Sequence, residues 1–356
     1  MQLFKVEGTD MAPNLLLMCK IFVLLLYAHS FYFYLSDPFL PIISLLDGFN
    51  AYPNVFEYIS KALFLIFSVS LCFNIKVRMM SALLGVLIIL NLLASKPLFR
   101  NHLFIVGCML LLSGLSDKNK SPWLIYMQLG VVYVGALINK VFQVDWWLGQ
   151  FMHNWLGTAL ENSLYLSFAK ELPDLLLAKL LSYMAMLSEF FIAICLFIPR
   201  LRRVAISIIL VFHTLLFTFT GETFGIFMED ILIVLIAFLV WPKRQSVLQI
   251  KSIQHFKWLK LLSFLDWDNR VLLKQNSKID ANLYINMEDK KFSNWAAFTG
   301  VLLQYNGFFV LILVFEMAIR YLFNGFSKYI GLLFLFWLFL MLLLPYFWQN
   351  RKLKRV

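Results

Sequence analysis

SEFFIAICLFIPRLRRVAISIILVFHTLLF (188–217) is the stretch whose reading decides the fold. Two apolar runs flank a short turn that contains Pro199, Arg200, Arg202 and Arg203. Extended outward, the runs cover about 174–198 and 204–220. A helix needs roughly 17 to 25 predominantly apolar residues to cross a bilayer, and each run meets that length. Basic residues collect on the cytoplasmic side of membrane proteins, so the Arg-rich turn marks the cytoplasmic end of both helices.

The same pattern recurs along all 356 residues. Hydrophobic residues make up 61% and charged residues only 14%, with a mean hydropathy of +0.78. A soluble chain carries roughly a quarter charged residues, so a soluble globular protein is excluded. Ten spans are expected, at about 14–34, 55–75, 79–95, 99–115, 122–139, 174–198, 204–220, 227–242, 301–319 and 328–347. The fold class read from this is all-α: a polytopic transmembrane bundle of about ten spans with a small cytoplasmic segment. No cleavable signal peptide is expected, because the first apolar run is too long and lacks a small-residue cleavage site after it.

With both termini cytoplasmic, most of the 31 Lys and Arg fall on cytoplasmic segments, including the tail RKLKRV (351–356). The outer loops 35–54 and 221–226 then contain no Lys or Arg, as that orientation requires. The net charge of +11 is therefore topological, and no nucleic-acid partner is expected. Residues 140–173 form a longer outer segment, with Trp146, Trp147 and Trp155 as interfacial anchors and an amphipathic surface helix within 147–170. The extended soluble stretch is 243–300, rich in Lys and Arg and too small for a large core of its own. The domain plan is 1–243 as the transmembrane domain, 244–300 as a basic cytoplasmic segment, and 301–356 as a transmembrane hairpin with its tail. Cys19, Cys72, Cys108 and Cys195 all lie in apolar spans without a CxxC pair, which points to small core residues and to neither a disulfide framework nor a zinc site.

Two positions carry ionisable groups at membrane depth, where such groups are costly and have a partner or a function. Asn101-His102 opens the fourth span and Lys140 closes the fifth, in VVYVGALINKVFQVDWWLG (131–149). The two spans run in opposite directions, so both positions are expected at the outer end, lining one apolar pocket. A lysine partly withdrawn from water can act as a base, and a nearby histidine can donate a hydrogen bond or relay a proton. The structural readings stand beside these: a boundary lysine snorkels to the headgroups, and a His beside an Asn caps a helix. Glu189 and His213, on facing spans, are expected to form a buried hydrogen-bonded pair.

These motifs resemble the membrane domain of the vitamin K-dependent gamma-carboxylase and the wider bacterial family called the horizontally transferred transmembrane domain. The likeness covers about residues 14–243 and rests on Asn101-His102, the Tyr133-to-Lys140 span, Asp145-Trp146 with Gly149, and Glu189, Arg202 or Arg203 and Phe212-His213, in that order. It implies that Lys140 is a base acting on a reduced quinone of the menaquinone or vitamin K type, with His102 as a second catalytic residue. It further implies Asn101, Tyr133, Asp145, Trp146 and His213 as quinone-binding residues and a bacterial inner-membrane location; Glu189 is read as structural from its facing span, and no metal is expected because clustered ligand spacing is missing. The chain departs from the carboxylase by one extra residue between Lys140 and Asp145-Trp146. It is also expected to lack the large soluble domain that helps bind the carboxylase's protein substrate.

A fainter likeness, over 250–305, is to the thioredoxin-like domain fused behind such membrane domains. No cysteine follows Cys195, so thiol–disulfide exchange is excluded and the stretch is read as a degenerate remnant or a chance match. Phosphate-binding loops and HExxH are missing, and Glu222, Glu229 and Asp230 are read as a hydrated loop and helix start more than a cation site. Three functions stay open: a quinol-dependent enzyme, a non-catalytic module binding a lipid or quinone or scaffolding a partner, and a proton-coupled transporter. The transporter ranks last, because inverted repeats and broken mid-membrane helices are not evident.

Overall fold

The computed structural model describes residues 4–220, 225–242, 244–287, 290–322 and 330–349. The first helices are α1 (Pro13–Ala28), α2 (Pro53–Cys72), α3 (Val77–Ala94), α4 (Asn101–Leu115) and α5 (Trp123–Val141). Short helices α6 (Val144–Leu148), α7 (Gln150–His153) and α8 (Ser163–Ala169) follow, then α9 (Leu176–Phe197), α10 (Arg202–Thr220) and α11 (Gly225–Val234). The remainder is β1 (Ser246–Ile250), α12 (Ile253–Leu262), β2 (Val271–Gln275), β3 (Leu283–Met287), β4 (Lys290–Ser293), α13 (Asn294–Leu302), α14 (Asn306–Leu322) and α15 (Ile330–Gln349).

Among the described residues, five helices are long and apolar enough to cross a membrane: α2, α3, α5, α9 and α10. A sixth results if α13 and α14, bent by 78° at their break, count as one span. Ten spans are not confirmed, and three of the expected ones are short for local reasons. The first span stops at Ala28, where Ser30 turns left-handed (φ 60°), and its 16 residues rise only about 24 Å at 1.5 Å each. The fourth begins at Asn101 and has 15 residues, and the eighth changes from α-helix to a 3₁₀ turn at Leu235–Phe238. The loop 221–224 and the basic tail 351–356, on which part of the charge argument rests, lie outside the described residues.

The chain divides into two compact units. The first comprises residues 1–125, 230–317 and 345–356. Its α1 is buried on nearly every side, as a helix apolar all round must be, while α2 leaves Val55, Ile59, Leu65, Ile66 and Val69 exposed as a lipid-facing side. Helices α3 and α4 meet at their backbones: a Cβ on Gly85 would stand 2.4 Å from Leu111 N and 2.5 Å from Gly107 O. Ser81 Oγ crosses the same seam to Leu110 O at 2.7 Å. The N-terminal segment ties one face of the unit together. Lys20 Nζ donates to Lys5 O and to Cys72 O at the end of α2, both at 2.9 Å. Val6 N donates to Asp268, Glu7 pairs with Arg270 at 2.6 Å, and Asn306 Nδ2 donates to Phe4 O. On a different set of loops, Leu40 pairs with the chain at Ala94–Lys96.

The first unit also contains a sheet, ordered β2-β1-β3-β4, with β1 and β2 parallel and the other pairs antiparallel. The all-α expectation missed it. Its strands have only four or five residues, and the period-2 burial of Ser246, Leu248 and Ile250 is too brief to stand out among basic residues. The helix α12 makes the crossover that a parallel pair requires. Phe292 of β4 stacks on Tyr346 of α15, with centroids 5.6 Å apart.

The second unit comprises residues 126–229 and 318–344. Its α9 and α10 form the hairpin read from 188–217, and Arg202 lays its guanidinium over Tyr126 of α5 at 4.1 Å. The expected single surface helix within 147–170 is instead three short pieces. Gly149 breaks it at φ 76°, and a Cβ there would meet Lys179 N at 2.6 Å. Asn162 then caps α8, accepting from Tyr165 N at 2.7 Å, while its own amide donates to Phe219 O.

Candidate functional site

Lys140 sits in the last turn of α5, and its side chain does not snorkel outward. Helical side chains lean toward the N-terminus of their helix, and Lys140 follows this rule: Nζ lies 3.4 Å from Ala136 O, one turn back. The ammonium meets Glu189 Oε1 of α9 at 2.7 Å and lies 5.0 Å from the centroid of the Trp146 ring. Only 18% of the lysine side chain and 7% of the glutamate side chain are exposed, so the pair is largely withdrawn from its surroundings. Trp146 is itself buried and stacks on Phe151 at 4.4 Å. It caps the ion pair by a cation–π contact, where an interfacial anchor was expected.

Tyr133 lies two turns before Lys140 on the same face of α5. Its hydroxyl is 2.7 Å from His213 Nε2 of α10, and both side chains are buried. Aromatic rings of Phe212 and Phe227 lie 5.1 Å and 5.7 Å from the imidazole centroid. The expected Glu189–His213 pair is not formed, because each group has another partner: Lys140 for Glu189 and Tyr133 for His213. Both retain one buried polar atom, Glu189 Oε2 and His213 Nδ1, without a hydrogen-bond partner among the described residues. Ser182 Oγ of α9 is likewise unpartnered, as are atoms elsewhere in the chain; the two on Glu189 and His213 differ in belonging to ionisable groups, which are the costliest to leave unpaired.

His102 and Asn101 belong to the first unit. Asn101 is exposed at the start of α4 and makes no cap bond, the N-cap position being Arg100. His102 Nδ1 lies 3.1 Å from Asp230 Oδ2, a carboxylate that is only 3% exposed. Asp145 is exposed in the first turn of α6. Of the acidic trio, Asp230 is thus committed to His102 and Glu229 to an ion pair with Arg320, while Glu222 lies outside the described residues.

Sequence reasoning found every histidine and lysine of these pairs and assigned the partners incorrectly or not at all. Asp230 was read as part of a hydrated loop. Glu189 was given to His213, because spacing identifies which helix face a residue occupies but not which helix faces it. A weak signal was available: an acidic residue inside an apolar run requires a cation, and Lys140 was the nearest one at comparable depth.

Residues 118–240 match the family model described as the HTTM domain. The matched stretch includes Tyr133, Lys140, Asp145, Trp146, Glu189, His213 and Asp230, and begins after Asn101-His102. No curated protein and no solved structure matches the chain.

Proposed function

We propose that the protein is an integral membrane protein of the vitamin K-dependent carboxylase-like family whose second unit binds a reduced quinone or similar lipidic cosubstrate, with Lys140 as the base. The observation that carries this reading is the coincidence of the Lys140–Glu189 ion pair with two unpartnered buried atoms, Glu189 Oε2 and His213 Nδ1. A hydroquinone ring fits that chemistry. Its flat apolar body suits the aromatic surroundings of His213, and its two oxygens suit a carboxylate oxygen and an imidazole nitrogen.

A reduced quinone, when bound, supplies an acidic hydroxyl and two electrons. The protein's part is to hold and move protons. Transfer of the ammonium proton from Lys140 Nζ to Glu189 Oε1, across 2.7 Å, leaves a neutral amine able to accept a hydroxyl proton. Tyr133 orients His213 through Nε2 and so sets whether Nδ1 donates or accepts. Trp146 covers the amine and limits access of water. The His102–Asp230 pair of the first unit is not needed for these steps.

The fuller topology belongs to the same proposal: ten traversals, with both termini on the cytoplasmic side of a bacterial inner membrane. The gathering of the N-terminal segment with Cys72, Lys118 and residues 266–270 on one face of the first unit supports it. A cysteine introduced at Gln150 is expected to label from the outside only, and labelling from the cytoplasmic side alone would overturn the orientation.

A second reading, a non-catalytic module that holds a lipid or quinone, is favoured by the ion pair itself, since a lysine already neutralised by Glu189 serves packing. Quinol-dependent oxygen consumption by the purified protein, with lipid extracts examined by mass spectrometry, separates the two. Turnover lost in Lys140→Arg supports the base role, because a guanidinium stays protonated throughout the accessible range. A bound quinone without turnover in the unaltered protein leaves the binding module.

A further inference from the structure

The helix α12 presents a face that neither the sheet nor the polar core uses. Leu259 and Leu265 are buried and hold the helix to the unit. On the opposite side Trp258 is 69% exposed, Leu261 62% and Phe264 61%, three large apolar side chains within seven residues. Trp258 and Leu261 lie one turn apart, so they share a face. Lys257, four residues before Leu261, and Lys260, four before Phe264, are exposed on the same side, and Lys251 is exposed just before the helix. The end of this segment is fixed at the entry of an apolar helix. Trp267 N donates to Asn306 Oδ1 at 3.1 Å, and Gly307 at the start of α14 packs so closely that a Cβ would meet Leu265 O at 2.7 Å.

We infer that α12 is an interfacial helix that lies on the bilayer surface, with Trp258, Leu261 and Phe264 inserted at the headgroup boundary and Lys251, Lys257 and Lys260 facing anionic lipid headgroups. An exposed apolar patch beside like charge marks an interaction site, and the exposed charged residues described on α12 are lysines. The combination of a Trp/Leu/Phe face with lysines beside it is the composition of helices that lie in the membrane interface. Attachment of the segment to α14 where that helix begins places it within reach of the lipid surface. The inference concerns a lipid contact and does not depend on any quinone chemistry.

The test uses the full chain in single-copy nanodiscs, with the four native cysteines replaced by Ala and a fluorophore placed at L261C. A control carries the label at K278C, on the exposed loop after β2. The label at position 261 is expected to be quenched by nitroxide-bearing lipids and shielded from iodide, and the label at 278 to behave in the opposite way. K257Q and K260Q should each lower the docking equilibrium read from lipid quenching in discs with anionic lipid, roughly fivefold per lysine removed. Iodide access at 261 equal to that at 278 would overturn the inference. So would equal lipid quenching in anionic and zwitterionic discs, or shielding that appears only at several copies per disc, which would assign the face to a second copy of the chain.

Discussion

Helices α3 and α4 of the first unit and helices α5, α9 and α10 of the second hold together by different means. The α3–α4 seam is made by close backbone approach at Gly85, Gly107 and Gly114, with bonds from Ser81 and, at its end, from Arg78 across it. The second set is joined by an ion pair and a Tyr–His bond; unpartnered buried atoms occur in both sets, at Asn91 and Ser113 in the first and at Ser182, Glu189 and His213 in the second, but only the second has them on ionisable side chains. In lipid, small residues are sufficient to pack helices, because van der Waals contact replaces the hydrophobic drive. Polar groups at the same depth cost more than small residues do, so their presence calls for a role beyond packing. The comparison sets close backbone contact against a lysine–glutamate pair at depth, and that pair is why the proposed site is placed in the second unit.

The largest effect is expected at the seam. Gly85→Leu forces a side chain into Leu111 N and Gly107 O, backbone atoms that cannot swing away, and should cost about 3 kcal/mol or more. Thermal unfolding in detergent measures this, and an unchanged midpoint would remove the seam from the comparison. Next comes Lys140→Met, which removes one partner of a largely buried ion pair and should cost about 3 kcal/mol by leaving Glu189 uncompensated. The charge-balanced double variant Lys140→Met with Glu189→Gln should recover most of that stability without any quinol-dependent turnover. Turnover in the double variant would make the polar core a packing device like the glycine seam.

Smaller effects sharpen the contrast. Tyr133→Phe deprives His213 of its hydrogen bond, at a cost of about 1 kcal/mol, and should lower the amount of quinone recovered in lipid extracts. Unchanged recovery would argue that His213 does not face the ligand. Asp230→Asn keeps a hydrogen-bonding group beside His102 and should lower the unfolding midpoint least, with turnover retained. Loss of turnover in that variant would bring the first unit's pair into the chemistry.

The residues of the proposed site are legible in the sequence as a list. An ionisable side chain in an apolar run stands out by composition alone, so Lys140, His102, Glu189 and His213 were all found. Their pairing was not legible. Trp146 illustrates why: next to Trp147 in sequence and alike in chemistry, it is buried over Lys140 while Trp147 is 46% exposed. One residue along a helix rotates a side chain by about 100°, and only the packing decides which of two neighbours turns inward.

By itself, the sequence determined that the chain is a helical membrane protein, where its apolar runs lie, and which few polar residues are out of place within them. These follow from transfer of each side chain between water and lipid, a property of the residue and its near neighbours. The tertiary structure alone decided that Lys140 folds back to Glu189, that Tyr133 rather than Glu189 holds His213, that Asp230 serves His102, and that β1 to β4 form a sheet. Those outcomes depend on contacts between segments distant in the chain, where many pairings satisfy the same local preferences and close packing selects one.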